Sequence, residues 1–510
     1  MELPKLLTSL LARTALAVLA GLIPTAVFAQ EAEPWVLPGD HPHAAFIDSH
    51  NYAIAQGATA EWRKMEWVAL DAANGKLYYA ISTINNTMAD SEGDLQVTEN
   101  LCGAIYMAEL DEAGNINSMA PVLVGGPYDE SNEEYPCNPD AIANPDNLFV
   151  DAQGNLWIGE DTDNHLNNFL WMWNGTELKR FASVPRGGEV TGLRVEATGT
   201  VFMNVQHPSA MSRYPYNRGT VGVISGYVAG DEFEPIAVPE GSDARTVLVA
   251  SGEYQVIARA GEPIAGNDSE LYGQVSDVDG NLIFRCNSPD GNMFLPIDEA
   301  GSEGYLYTNY ECLPGAVSRV YIQQDEDGMW NAIEGEMVDF SGVNGTWQNC
   351  GASVTPWNTA LTSEEYPADN QEDWEEAWLP YQEWLVAHLG KQPNQYDYGY
   401  QVEITPAGED GLLGDVVQKH YVMGRFSMEN AVILPDNKTA YYGDDGTNRV
   451  LYKFVAAAEG DLSAGTLYAA KVTQNGDTLN LEWIELGSST DAEIEASIRA
   501  LDGEAVAVAN

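Results

Sequence analysis

The stretch Trp67-Val68-Ala69-Leu70-Asp71-Ala72-Ala73-Asn74-Gly75-Lys76-Leu77-Tyr78-Tyr79 sets the reading of the fold. Two short runs of aliphatic and aromatic residues flank a polar turn that closes on Gly75, the composition of a β-hairpin. The same phrase returns at Asn147-Leu148-Phe149-Val150-Asp151, through Gly154, to Leu156-Trp157-Ile158. Weaker copies start at Leu193, Val275 and Val432. The copies are separated by very roughly one to four lengths of a propeller blade, taken as about 40 residues. Hairpins of this kind also occur in sandwiches, but sheets repeated around an axis hide most strand edges, which suits a long chain. The expected fold is all-β: a single large β-propeller of about six blades.

Helix is scarce. One candidate covers 372–389, with Trp374, Trp378, Tyr381, Trp384 and Leu385 at helical spacings between Pro367 and Gly390. Pro380 is expected to kink or split it. This reads as a short helical insertion packed on the propeller, its aromatic stripe serving packing. A second, shorter candidate runs over 491–501. No low-complexity linker divides the chain, so one domain is expected.

The first residues resemble an export signal: Lys5, an apolar run over 14–28, and Val27-Phe28-Ala29 as a cleavage site. The domain reading is thus 1–29 signal peptide and 30–510 propeller, in a periplasmic or secreted protein. Lys and Arg total 23 against 77 Asp and Glu, a formal charge of −54. Such a chain repels nucleic acid and anionic membrane surfaces, and no other stretch is apolar enough to insert into a bilayer. An anionic substrate would need local positive charge, most simply metal ions. Of five cysteines, Cys102 with Cys137 and Cys286 with Cys312 lie at short intervals and can each staple a loop. Cys350 is left over, either an inert buried thiol or a reactive or metal-bound one.

The chain has no Gly-rich phosphate loop, no His-Glu-x-x-His and no Gly-x-Ser-x-Gly. With only seven histidines, ligands must come from carboxylates, amides and one thiolate. Acidic and amide groups recur at strand ends: Glu66, Asp146-Asn147, Glu160-Asp161, Glu189, Gln206-His207, Glu311, Glu364-Glu365, Glu429-Asn430 and Asp444-Asp445. Each alone reads as a solvated turn or strand cap. In a propeller they would converge on the axis, where carboxylates repel one another unless cations neutralise them.

The central run Gly345-Thr346-Trp347-Gln348-Asn349-Cys350-Gly351-Ala352-Ser353-Val354-Thr355-Pro356-Trp357, continuing to Glu364-Glu365, carries a resemblance. So do Gly424-Arg425-Phe426-Ser427-Met428-Glu429, Gly443-Asp444-Asp445, Glu66-Trp67, Glu189-Val190-Thr191-Gly192 and Asn204-Val205-Gln206-His207-Pro208. Together, over roughly residues 60 to 490, these segments resemble the PhoX family of calcium- and iron-dependent alkaline phosphatases. Their order differs from the family's, which looks like a circular permutation, and a closed ring tolerates that. The resemblance implies a metal-dependent phosphoester hydrolase acting on a phosphorylated small molecule. It implies that Cys350 holds iron and that Glu66, Glu365 and Glu429 are metal ligands. Lys64 stands where the family has an arginine thought to hold phosphate, and Met428 where it has histidine. The alternatives are a calcium-dependent lactonase-type propeller and a non-catalytic, metal-stabilised binding propeller.

Overall fold

The computed structural model describes Leu37 and residues 41–369, 373–374, 379–406 and 415–508. The expected export signal lies outside the described residues. Six antiparallel blades stand around one axis. Their innermost strands are Met65–Asp71, Pro145–Val150, Glu189–Val195, Pro289–Pro296, Asn349–Val354 and Met428–Ile433. Each inner strand packs on the next, and the sixth packs back on the first, so the ring closes as a β-propeller. Four of the five hairpins read from sequence open blades one, two, three and six. The copy at Val275 does not: Gln274–Ser276 and Leu282–Arg285 form a separate two-stranded ribbon. Turn chemistry makes a hairpin; packing decides whether it joins a blade.

Closure joins the first and last blades at the outer edge and near the axis. At the outer edge, Ile116–Val124 of blade one pairs with Thr478–Thr490 of blade six through Met119–Leu479 and Ser118–Asn480. The two blades thereby share one nine-stranded sheet. Trp67 and Trp483 accordingly lie on neighbouring blades, as a permuted ring requires. Near the axis, buried Asn430 stitches blade six to blade one: its Oδ1 accepts from the Val68 N–H at 2.9 Å and its Nδ2 donates to the Val68 carbonyl at 3.0 Å. Apolar clusters fill the spaces between blades, with Trp62, Trp157 and Trp330 fully buried.

The helical insertion is present in blade five, as Leu379–Leu389. The described helix includes Pro380 and runs unbroken to Leu389. The upstream part of the expected helix lies largely outside the described residues. The stripe packs: Trp384 lies against Phe284 at 4.8 Å, and His388 hydrogen-bonds the Ser276 carbonyl at 2.7 Å. The C-terminal helix is longer than expected, Asp491–Val508. Its first residue meets buried His420, which is 3.0 Å from both Asp491 and Glu403.

Two outcomes follow from these contacts. Asn430→Ala leaves two buried Val68 backbone groups unpaired, so equilibrium denaturation should give a loss of about 2–5 kcal/mol. Burial alone would hold the His420 ring neutral, but Asp491 and Glu403 outweigh it and lift its pKa to about 9. The charged ring stabilises fully below its ordinary value near 6.5, and that contribution is lost as pH climbs through about 9. The thermal midpoint should fall across this window, and His420→Gln should flatten that part of the profile.

Candidate metal centre

Every inner strand starts at the same end of the axis, and every start carries an acid or a thiol: Glu66, Asp146, Glu189, Asp290, Cys350 and Glu429. All of them are buried. A shared backbone device aims them. Each inner strand has one residue more than its neighbour near this end, at breaks within 65–67, 145–148, 191–194, 289–292, 349–352 and 428–431. A β-bulge bends its strand and re-aims the side chain there. In five blades the acid or thiol lies inside the break; in blade three Glu189 precedes it, opposite Gln206. Gly351 completes the arrangement, since a Cβ there would meet the Glu429 carbonyl oxygen at 1.8 Å.

The second strands return to this end and add Asp161, Glu311, Glu365 and Asp445. In three of these places two acids stand in sequence, and the first is structural. Glu160 accepts from the Ala143 and Phe169 N–H groups and the Trp171 indole. Glu364 accepts from the Trp347, Gly399 and Tyr400 N–H groups and pairs with Lys419 at 2.9 Å. Asp444 accepts from the Ser427 N–H. Their successors Asp161, Glu365 and Asp445 face the axis with few partners.

Three groupings result, each with ligand atoms within 4.8 Å of one another: Cys350, Glu365 and Glu429; Glu66, Glu365, Glu429 and Asp445; and Asp146, Asp161 and Glu189. The Cys350 thiol donates to Glu429 at 3.1 Å. Lys64 is the cation in contact with the second grouping, 2.6 Å from Glu66 and 3.1 Å from Asp445. It is held at φ 50°, between blade one and the turn after Asp445, and its ammonium also reaches the Tyr366 hydroxyl at 3.3 Å. His207, at the exposed rim, hydrogen-bonds Glu189 at 3.0 Å.

Two bases cannot balance these acids, and the site responds by holding protons. Burial and then the charge of neighbouring carboxylates push Glu66 up to about 8 and raise Asp146, Glu189, Glu365 and Glu429 well above the usual range. Burial raises the Cys350 thiol as well. Asp445 alone in this set is lowered: burial opposes its charge, but Lys64 outweighs it. Oxygen atoms of Asp290, Glu365 and Asp445 are buried with no hydrogen-bond partner. Buried orphaned carboxylate oxygens beside a thiol fit hard cations together with a transition metal.

Residues 39–209 and 328–509 match the sequence model of the family described as Alkaline phosphatase PhoX. The chain belongs to the PhoX family. The two-segment match is consistent with a permuted order and omits 210–327, which the sequence resemblance had included. No curated protein matches the chain. Among solved structures it is similar to a gluconolactonase from Xanthomonas campestris, at 12% identity over 77% of this chain and 86% of that one, with TM-score 0.36. It is also similar to a luciferin-regenerating enzyme, at 9% identity over 84% and 94%, with TM-score 0.34, and to the Dos1 propeller, at 8% over 84% and 94%, with TM-score 0.32.

The residues singled out from the PhoX resemblance, Lys64, Glu66, Cys350, Glu365 and Glu429, all meet at one place. Asp445, read as a strand end and within the Gly443-Asp444-Asp445 match but not as a ligand, joins them. Asp146, Asp161 and Glu189, also read as strand ends, make the neighbouring grouping. Asp290 was missed, although Pro289-Asp290 repeats the Pro145-Asp146 start of blade two. Asp290 and Glu311 come from the stretch that the PhoX match omits.

Cations and protons compete for these carboxylates. Calcium binding to the metal-free protein should therefore release protons, and its apparent affinity should fall as pH is lowered from about 8 toward 5. Titration calorimetry in buffers of different ionisation enthalpy reads both effects.

Proposed function

We propose that the axial site of this PhoX protein hydrolyses phosphoesters, using cations held by its carboxylate and thiol groupings. The observation that carries the reading is the convergence itself: acids or a thiol from all six inner strands, with orphaned carboxylate oxygens on Asp290, Glu365 and Asp445 and Lys64 as the contacting base. Glu66, Glu365, Glu429 and Asp445 suit calcium, and the grouping with Cys350 suits iron. Cations bound there would offset phosphoryl charge and ease deprotonation of water. Lys64 would place its ammonium on one phosphoryl oxygen, and the Tyr366 hydroxyl would supply a second donor beside it. A lysine offers a single-point contact where an arginine would offer two parallel ones. Two disulfides, Cys102–Cys137 and Cys286–Cys312, support a periplasmic or secreted setting. Among the described residues no helix is long and apolar enough to cross a membrane.

The test is turnover of p-nitrophenyl phosphate by protein loaded with calcium and iron, with a phosphodiester and a lactone alongside. Lys64→Ala should lower kcat/KM about ten- to hundredfold, the cost of one charge-assisted contact, and Lys64→Arg should raise it. Glu429→Gln should cost more, because it disturbs two groupings at once. Chelation should abolish turnover. Lactone turnover without phosphoester turnover would move the assignment to a lactonase, and bound metal without either to a binding protein.

A further inference from the structure

Beside the acidic funnel lies a feature of the opposite sign. In a chain with 77 acids and 23 bases, arginines should find carboxylates easily. Six of the described arginines do. Arg63 is held by Asn85 and Thr447, and Arg425 by backbone carbonyls. The remaining five, Arg186, Arg213, Arg218, Arg245 and Arg285, have no ion pair among the described residues, and all five belong to the connections, including the two-stranded ribbon, at the axial-site end of blades two to four. Four of them are exposed, and Nε of half-buried Arg186 is buried with no partner.

The backbone laces these loops to one another and to the axial site. The Arg186 N–H donates to the Ala244 carbonyl at 3.1 Å, and its carbonyl accepts from the Ser209 N–H at 3.1 Å. The Arg213 N–H donates to the Arg245 carbonyl at 3.0 Å. Arg218 and Arg285 both lie against Gly261, each 3.2 Å from where a Cβ would stand. His207 connects this rim to the centre: its ring hydrogen-bonds the Gly187 carbonyl, next to Arg186, at 3.2 Å and Glu189 at 3.0 Å. Exposed guanidinium groups with no ion pair, carried on loops laced together at one end of the ring, favour an anion they can share. The guanidinium fork fits a phosphate bidentately.

We infer that this arginine rim is a subsite for a second phosphate, so that the protein acts on bisphosphorylated small molecules: one phosphoryl group enters the funnel and the other rests on Arg213, Arg218 and Arg245. This rests on the phosphoesterase reading above. Those three arginines and Arg285 lie in 210–327, outside the segments that match the PhoX family, so the rim is not part of what the match describes.

Two measurements decide it. With metal-loaded protein, kcat/KM for fructose 1,6-bisphosphate should exceed that for fructose 6-phosphate by about tenfold or more, and the Arg213→Gln, Arg218→Gln, Arg245→Gln triple variant should erase the preference through KM. With metal-free protein, pyrophosphate should bind in titration calorimetry, and the triple variant should bind it at least about tenfold more weakly. The substitutions are at exposed positions, and an unchanged thermal midpoint checks folding. A preference that survives the triple variant overturns the inference, as does pyrophosphate binding that is absent or indifferent to the substitutions. If the loaded protein turns over no phosphoester, the hydrolase reading fails and pyrophosphate binding alone decides the rim.

Discussion

Like charge held together is the constraint on which this structure turns. Two carboxylates 4 Å apart repel by about 4 kcal/mol at the effective dielectric of a partly buried site. The axial end brings oxygens of Glu66, Glu365, Glu429 and Asp445 within 4.8 Å of one another, and does the same for Asp146, Asp161 and Glu189. Left ionised, the groupings would press the blades apart. Relief comes from Lys64 and from protons retained by raised pKa values, and the orphaned oxygens fit cations as a third source. A folding cost is thus kept at the one place where six strands meet.

The rest of the ring opposes that pressure. The shared edge of blades one and six, at the rim, and the Asn430 stitch, next to the charge, close the circle with ordinary hydrogen bonds. Comparable amides join other blades: Asn309 donates to the Cys350 and Gly351 carbonyls, and Asn292 to the Gly192 carbonyl. The doubled acids divide the labour. Glu160, Glu364 and Asp444 brace the loops through backbone N–H groups, and this fixes where Asp161, Glu365 and Asp445 stand.

The funnel and its rim form an electrostatic pair. Acids crowd the axis, and arginines without carboxylate partners stand on the loops of blades two to four. Both are out of balance locally in a chain whose other described arginines are held. The acids are placed by strand starts and bulges that recur in every blade. The arginines come from long connections between strands, which vary without disturbing the ring.

The sequence by itself determined the all-β class, the hairpins opening four blades, the helical insertion and the odd cysteine. These rest on turn chemistry, apolar spacing and counting, which act within a few residues. The PhoX resemblance, spread over several segments, likewise named four ligand candidates and Lys64. Tertiary structure alone decided that the Val275 hairpin stands outside the blades. It also decided which acid of each pair faces the axis, that Asp290 belongs there, and that the loops carrying the unpaired arginines lie at one end of the ring. Those outcomes depend on ring closure, which sets Glu66 beside Asp445 across almost the whole chain. No local pattern of residues encodes a distance of that kind.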